Sequence, residues 1–324
     1  MRLGSIAGAL ALAGVAAIAP AFAQDCGPLK QVNTVSLQMA AGGLRTLIHV
    51  TINGTDEPFL LDTGGTVTQI GASVAQDLKL PAYETTGKIL DLYGHASNSA
   101  VRVASFGLGR LKDTKTTLFV SPNPDLGKGP YAGLFATDYM GKYDTELDFG
   151  GGKLNYFLSD HCPGHVIYWP AAAAAIVPMT FRDQTMRIPV TMNGHTFTAI
   201  IDTGAPYSTI TASAARRVFG MDGAGTDDEV IHDYDGKKEF MHIFDRLGFE
   251  GVAVQHPHVI VIPDMVGSKD AGNGMVTGSR TRRVDDLDGQ PEMLIGMSVL
   301  NKLRLYIAFD ERKIYVTPAT TPVQ

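Results

Sequence analysis

Several features are scarce in this chain of 324 residues. It has only two cysteines, Cys26 and Cys162, and neither belongs to a Cys-x-x-Cys pair, which argues against a thiolate metal site or a redox motif. No block of like charge runs along it, and the formal net charge is only -6, so nothing points to a nucleic-acid partner. Beyond the first 23 residues, no apolar run reaches the roughly 20 residues needed to span a bilayer, and no stable membrane anchor is expected. His-Glu-x-x-His, Gly-x-Ser-x-Gly and the phosphate-binding loop are all missing. His242, His256 and His258 lie near one another in sequence but lack the further ligands of a tetrahedral zinc site, so no metal and no cofactor are expected.

What is present is ordinary globular composition, 44% hydrophobic and 19% charged, in a chain long enough for two medium lobes. Residues 1–23 read as a secretory signal peptide. Arg2 gives a positive start, Leu3 to Ile18 is an apolar and glycine run, and Ala21-Phe22-Ala23 has the form of a cleavage site. A membrane anchor is the weaker reading, because the run is short. Ala23, Gln24 and Asp25 before Cys26 do not resemble a lipoprotein processing site, so the mature chain is expected to be released, periplasmic or secreted. In that oxidising compartment Cys26 and Cys162 are expected to form one disulfide, closing a loop worth about 4–5 kcal/mol on the chain-entropy account.

The chain is also duplicated. Ile48-His49-Val50-Thr51-Ile52-Asn53-Gly54 precedes Phe59-Leu60-Leu61-Asp62-Thr63-Gly64, and Ile188-Pro189-Val190-Thr191-Met192-Asn193-Gly194 precedes Ala199-Ile200-Ile201-Asp202-Thr203-Gly204. Each is a strand, an Asn-Gly hairpin turn and a second strand. Asp62 and Asp202 are 140 positions apart. Short helices over Ala72 to Leu78 and Ala212 to Phe219 follow. Each half then closes on a matching apolar segment, Leu134-Phe135-Ala136 or Leu294-Ile295-Gly296, and a final strand. The closing segments are 160 apart, so the second half carries about 20 extra residues, placed in a loop over Pro263 to Pro291. The pattern is all-β with few short helices. It divides into residues 24–158, a linker at 159–178, and residues 179–324.

Two Asp-Thr-Gly motifs at matching places in a repeat resemble the aspartic proteases, both the bilobal pepsin-like enzymes and the dimeric retroviral ones. The short halves look more like the retroviral unit fused in tandem. The resemblance implies two β-barrel-like lobes and an endopeptidase acting on peptide or protein substrates as a monomer. It makes Asp62 and Asp202 the catalytic pair, which shares one proton so that one member activates water and the other protonates the scissile carbonyl. It implies that Thr63 and Thr203 hydrogen-bond across the lobes, and that Gly64 and Gly204 bring amides close to the carboxylates. Two departures stand out. Gly65 replaces the usual Ser or Ala, and Ala136 stands where the second half has Gly296. The resemblance also implies a flap over the cleft. Leu90 to Ala104 and Val230 to Ile243 are the candidates, with Tyr93 and Tyr234 near their tips; an ordinary surface hairpin fits the same residues. A bilobal protein that binds peptides or glycans without cutting them, and a structural envelope protein, are the rival readings.

Overall fold

The computed structural model describes residues 26–90, 95–182, 184–234, 237–264, 275–276, 281–282 and 291–320. Three sheets account for most of it. An eight-stranded sheet draws all its strands from residues 38–135, a ten-stranded sheet draws all of its own from residues 180–295, and a six-stranded sheet draws on both halves. The fold is thus all-β, with four short helices among the described residues: α1 (Ala72–Asp77), α2 (Thr137–Met140), α3 (Ala212–Phe219) and α4 (Met297–Leu300).

The repeat seen in sequence is a repeat in space. Asn53 and Gly54 turn at φ 52° and 90°, and Asn193 and Gly194 at 47° and 83°. Positive φ at both central residues is what a two-residue hairpin needs, and Asn and Gly tolerate it best. In each half the strand that leads to the Asp then runs parallel beside the closing segment. Leu60 pairs with Leu134, and Ile200 pairs with Leu294. Ser105–Gly109 and Arg246–Glu250 occupy equivalent places in the two halves, since Gly107 pairs with Thr51 and Gly248 with Thr191.

The first-half sheet closes on itself because Thr46–Ile52 pairs both with Thr55–Leu61 and with the long strand Ala96–Leu108. The second half makes the same closure with a broken strand. Lys237–Ile243 and Arg246–Phe249 do there what Ala96–Leu108 does alone. The barrel interiors are aliphatic and aromatic, with Ile48, Phe59, Leu61 and Phe135 buried in one and Ile188, Phe197, Ile201 and Ile295 in the other.

The six-stranded sheet, ordered Gln31–Ser36, Lys153–Phe157, Asp144–Asp148, Leu303–Ala308, Lys313–Pro318 and Ala175–Pro178, fastens the halves together. The stretch read as a linker therefore ends in a strand, paired with Lys313–Val316. Across the joint, the Arg304 Nε donates to Glu146 at 2.6 Å and its Nη1 lies 3.2 Å from Asp148, under the Trp169 ring at 4.2 Å. Cys26 and Cys162 are disulfide-bonded, which ties the start of the described chain to the end of the first half. Beside that bond the His161 Nε2 lies 2.7 Å from the buried Asp144 carboxylate.

The expected loop at Pro263 to Pro291 contains one small antiparallel pair, Met275–Val276 with Thr281–Arg282; most of the rest lies outside the described residues. So do the signal segment and Tyr93. Among the described residues, no helix is long and apolar enough to cross a membrane.

Candidate active site

Each Asp-Thr-Gly begins where a core strand ends. Leu61 and Ile201 are buried, and the chain must then leave the barrel, so the next residue is presented at its mouth. The Asp62 amide donates to the Phe135 carbonyl at 2.9 Å, and the Asp202 amide to the Ile295 carbonyl at 3.0 Å. The two loops are locked reciprocally. The Thr63 hydroxyl donates to the Ile201 carbonyl at 2.8 Å and accepts from the Thr203 amide at 3.0 Å. The Thr203 hydroxyl donates to the Leu61 carbonyl at 2.7 Å and accepts from the Thr63 amide at 3.1 Å. Both threonines are fully buried, so all four bonds form out of water, where losing one is expensive.

This lock brings the two carboxyls, from opposite halves, side by side: a Cβ on Gly204 would stand 2.6 Å from Asp62 Oδ1 and 3.2 Å from Asp202 Oδ1. Their glycines explain how they come so close. A Cβ on Gly64 would stand 2.5 Å from Asp202 Oδ2, and one on Gly204 would stand 2.6 Å from Asp62 Oδ1. Each glycine thus makes room for the carboxyl of the other half, and only glycine leaves that space.

The carboxyls differ in their support. Asp202 Oδ1 accepts the Gly204 amide at 2.8 Å and the Ala205 amide at 3.2 Å. Asp62 Oδ1 accepts the Gly65 amide at 2.8 Å. Burial raises both acids above the ordinary carboxylate range. For Asp62 the neighbouring Asp202 charge adds to burial, pushing it up to about 8. For Asp202 the amide donors and the proton from Asp62 oppose burial. The arrangement favours a proton on Asp62 and charge on Asp202, with the proton shared between them.

A further layer behind the loops escaped the sequence reading. Thr68 and Ser208, each six residues after its Asp, accept hydrogen bonds on their hydroxyls from the Ala136 amide at 3.0 Å and the Gly296 amide at 3.1 Å. Their equal offset in the repeat was the available signal. Thr68 in turn donates, through hydroxyl and amide, to Asp138 at 2.7 and 3.1 Å. The two departures noted in sequence meet here. A Cβ on Gly65 would stand 2.7 Å from Asp62 Oδ2 and 3.3 Å from the Ala136 methyl. In the second half the methyl sits on the loop, at Ala205, and the bare residue is Gly296.

The other residues singled out in sequence lie elsewhere. Tyr234 ends the strand Glu229–Tyr234, where its backbone pairs with Lys237 across the hairpin tip. His242 is held against Asp228 at 2.6 Å and against the Phe244 ring, and its partner across the ladder is Val259 rather than His258. Among the described residues, no group of His, Cys, Asp and Glu could hold a metal ion.

No curated protein matches the chain. A family model described as aspartyl protease matches residues 48–138 and 188–299, and each region holds one Asp-Thr-Gly and the closing segment that supports it. With more than half of its length so matched, and with two halves that meet at paired Asp-Thr-Gly loops, the chain belongs to the aspartyl protease family.

Proposed function

We propose that this chain is an aspartic endopeptidase that hydrolyses peptide bonds with a water molecule activated by Asp62 and Asp202. The observation that carries the reading is the close approach of two buried carboxyls delivered by opposite halves, each packed against the glycine of the other. A binding protein has no need to hold two acids together out of water, since one must then keep a proton at a cost in charge repulsion.

In this mechanism Asp202, supported by the Gly204 and Ala205 amides, takes a proton from water. Asp62 gives its proton to the scissile carbonyl oxygen as the tetrahedral intermediate forms. When the intermediate collapses, Asp202 gives its proton to the leaving amine as the C–N bond breaks, and Asp62 takes one back from a gem-diol hydroxyl, whose oxygen becomes the new carboxyl's carbonyl, so the pair returns to its starting state. No covalent enzyme intermediate forms. Strand alternation puts Leu60 and Leu134, and Ile200 and Leu294, on the face that carries the carboxyls, which supports apolar side chains on both sides of the cut. The shared proton supports activity from acid to neutral pH, falling as pH rises through about 8, where Asp62 would ionise.

The disulfide and the apolar leader sequence support export of the mature chain to the periplasm or medium. The test is incubation of the folded protein with a diverse peptide mixture from pH 3 to 8, with cut sites read by mass spectrometry. Cleavage is expected from the wild type and not from a folded Asp202→Asn variant. A folded wild type that cuts nothing across that range would remove the proposal in favour of a binding role.

A further inference from the structure

Asp138 lies in α2, two residues after Ala136, and has no part in the proton transfers of the dyad. By the offset of the two closing segments its counterpart in the second half is Ser298, so the first half alone has an acid at this place. The half-buried carboxylate holds one residue at two points. Its Oδ1 accepts the Thr68 hydroxyl at 2.7 Å, and its Oδ2 accepts the Thr68 amide at 3.1 Å. Thr68 is only 1% exposed, so both bonds are sheltered from water.

The direction of these bonds matters. A threonine hydroxyl has one proton to give and rotates about its C–O bond, whereas an ionised carboxylate only accepts. The Thr68 proton therefore points at Asp138. An oxygen lone pair is left for the Ala136 amide, which donates to it at 3.0 Å. Ala136 is joined to the Asp62 loop on both sides. The Phe135 carbonyl before it accepts the Asp62 amide at 2.9 Å. Thr137 after it donates its amide and its hydroxyl to the Gly65 carbonyl at 3.2 and 2.8 Å. The Gly65 amide in turn holds Asp62 Oδ1. A shift at Ala136 thus reaches both the backbone and the carboxyl of Asp62.

We propose that Asp138 is a positioning residue for Asp62: it aims the Thr68 hydroxyl, which clamps the Ala136 amide and so fixes the support on which the Asp62 carboxyl rests. In the second half the Ser208 hydroxyl receives the Gly296 amide at 3.1 Å with Ser298 in place of the acid, so the device belongs to one member of the pair. Its effect on turnover rests on the proteolytic reading. The clamp itself does not.

The test has two readouts on the full chain. One is kcat and KM on a single peptide for the wild type, Asp138→Ala, Asp138→Asn, Thr68→Val and, for the second half, Ser298→Ala. Asp138→Ala is expected to lower kcat by about tenfold with KM within about twofold, because a misplaced carboxyl affects the chemical step more than binding. Asp138→Asn keeps an oxygen for the Thr68 hydroxyl and should recover part of the loss. Thr68→Val should match Asp138→Ala and add little to it in the double variant. The other readout is amide hydrogen exchange by NMR, where Ala136 is expected to exchange about tenfold faster in Asp138→Ala while Gly296 is unchanged. Should Asp138→Ala fail to fold, Asp138→Asn and Thr68→Val carry both readouts. The proposal is overturned by unchanged Ala136 exchange in the folded variants, by unchanged kcat where the wild type cuts, or by a Ser298→Ala variant that loses as much kcat as Asp138→Ala. A wild type that cuts no peptide removes the proteolytic reading, and Ala136 exchange then still decides the clamp.

Discussion

The two halves solve the same problem with exchanged parts. In the first, the loop after Asp62 is bare at Gly65 and the supporting segment behind it carries the Ala136 methyl; in the second, the loop carries the Ala205 methyl and the support is bare at Gly296. A Cβ on Gly65 would meet the Ala136 methyl at 3.3 Å, and one on Gly296 would meet the Ala205 carbonyl oxygen at 2.8 Å, so each bare position faces its loop or support closely. Around this, the hydrogen bonds are retained. The Gly65 carbonyl accepts the Thr137 amide at 3.2 Å, and the Ala205 carbonyl accepts the Met297 amide at 2.8 Å. What a duplicated site conserves is thus the volume and the backbone bonds behind each carboxyl, not the residue at each position. The electrostatics are less equal. Two amides of its own loop hold one oxygen of Asp202 and one amide of its own loop holds Asp62, so the halves offer the shared proton unequal homes.

Where the halves are equal, they should break equally. Thr63→Ala and Thr203→Ala each remove a buried hydroxyl that makes two hydrogen bonds across the joint. Each is expected to cost about 2–4 kcal/mol in denaturant unfolding and to depress turnover, with the Ser variants much milder. A large gap between the two Ala variants would show that the lock is not reciprocal in solution.

Where the parts are exchanged, a cycle should expose it. Gly65→Ala alone places a Cβ against Asp62 and Ala136, and is expected to lower kcat by about tenfold through a shifted carboxyl. Adding Ala136→Gly recreates the arrangement of the second half and should recover most of that loss. The check is kcat for the two single variants and the double, and additive losses would count against the exchange.

The inequality of charge predicts a smaller effect, on stability. Asp62 is raised from 3.8 to about 8 in the folded state, so the native protein binds more protons than the unfolded chain between those values. Its contribution to stability is fully present below about pH 3.8 and is lost as pH rises through about 8. Asp62→Asn removes this loss. The variant should match the wild type near pH 4 and melt about 2–4 °C higher near pH 8, read by calorimetry at both. Equal melting at both values would mean that the carboxyl pair is not strained by its proximity.

Much of this was legible in sequence because duplication doubles every local signal. Asn-Gly between apolar strands gave the hairpins, and strand-then-Asp-Thr-Gly gave the place where each chain leaves its barrel. The six-stranded joint was not legible, because the pairing of Asp144–Asp148 with Leu303–Ala308 is set by how the lobes meet and not by local propensity. No sequence signal marks its Glu146 and Arg304 as a buried ion pair. The broken strand of the second half was visible only after the fact. His256 adopts φ 48° before Pro257, which cannot donate to a ladder, whereas Lys115 at φ 54° lies within a strand whose register runs on unshifted on either side of it.

The central claim is that both carboxyls belong to one catalytic unit. It is tested most directly by kcat/KM for Asp62→Asn and Asp202→Asn on one peptide cut by the wild type, with both variants shown to be folded. Each is predicted to fall by about a thousandfold or more, and the double variant hardly further, as expected of residues that act together. Turnover retained in either single variant would contradict the account.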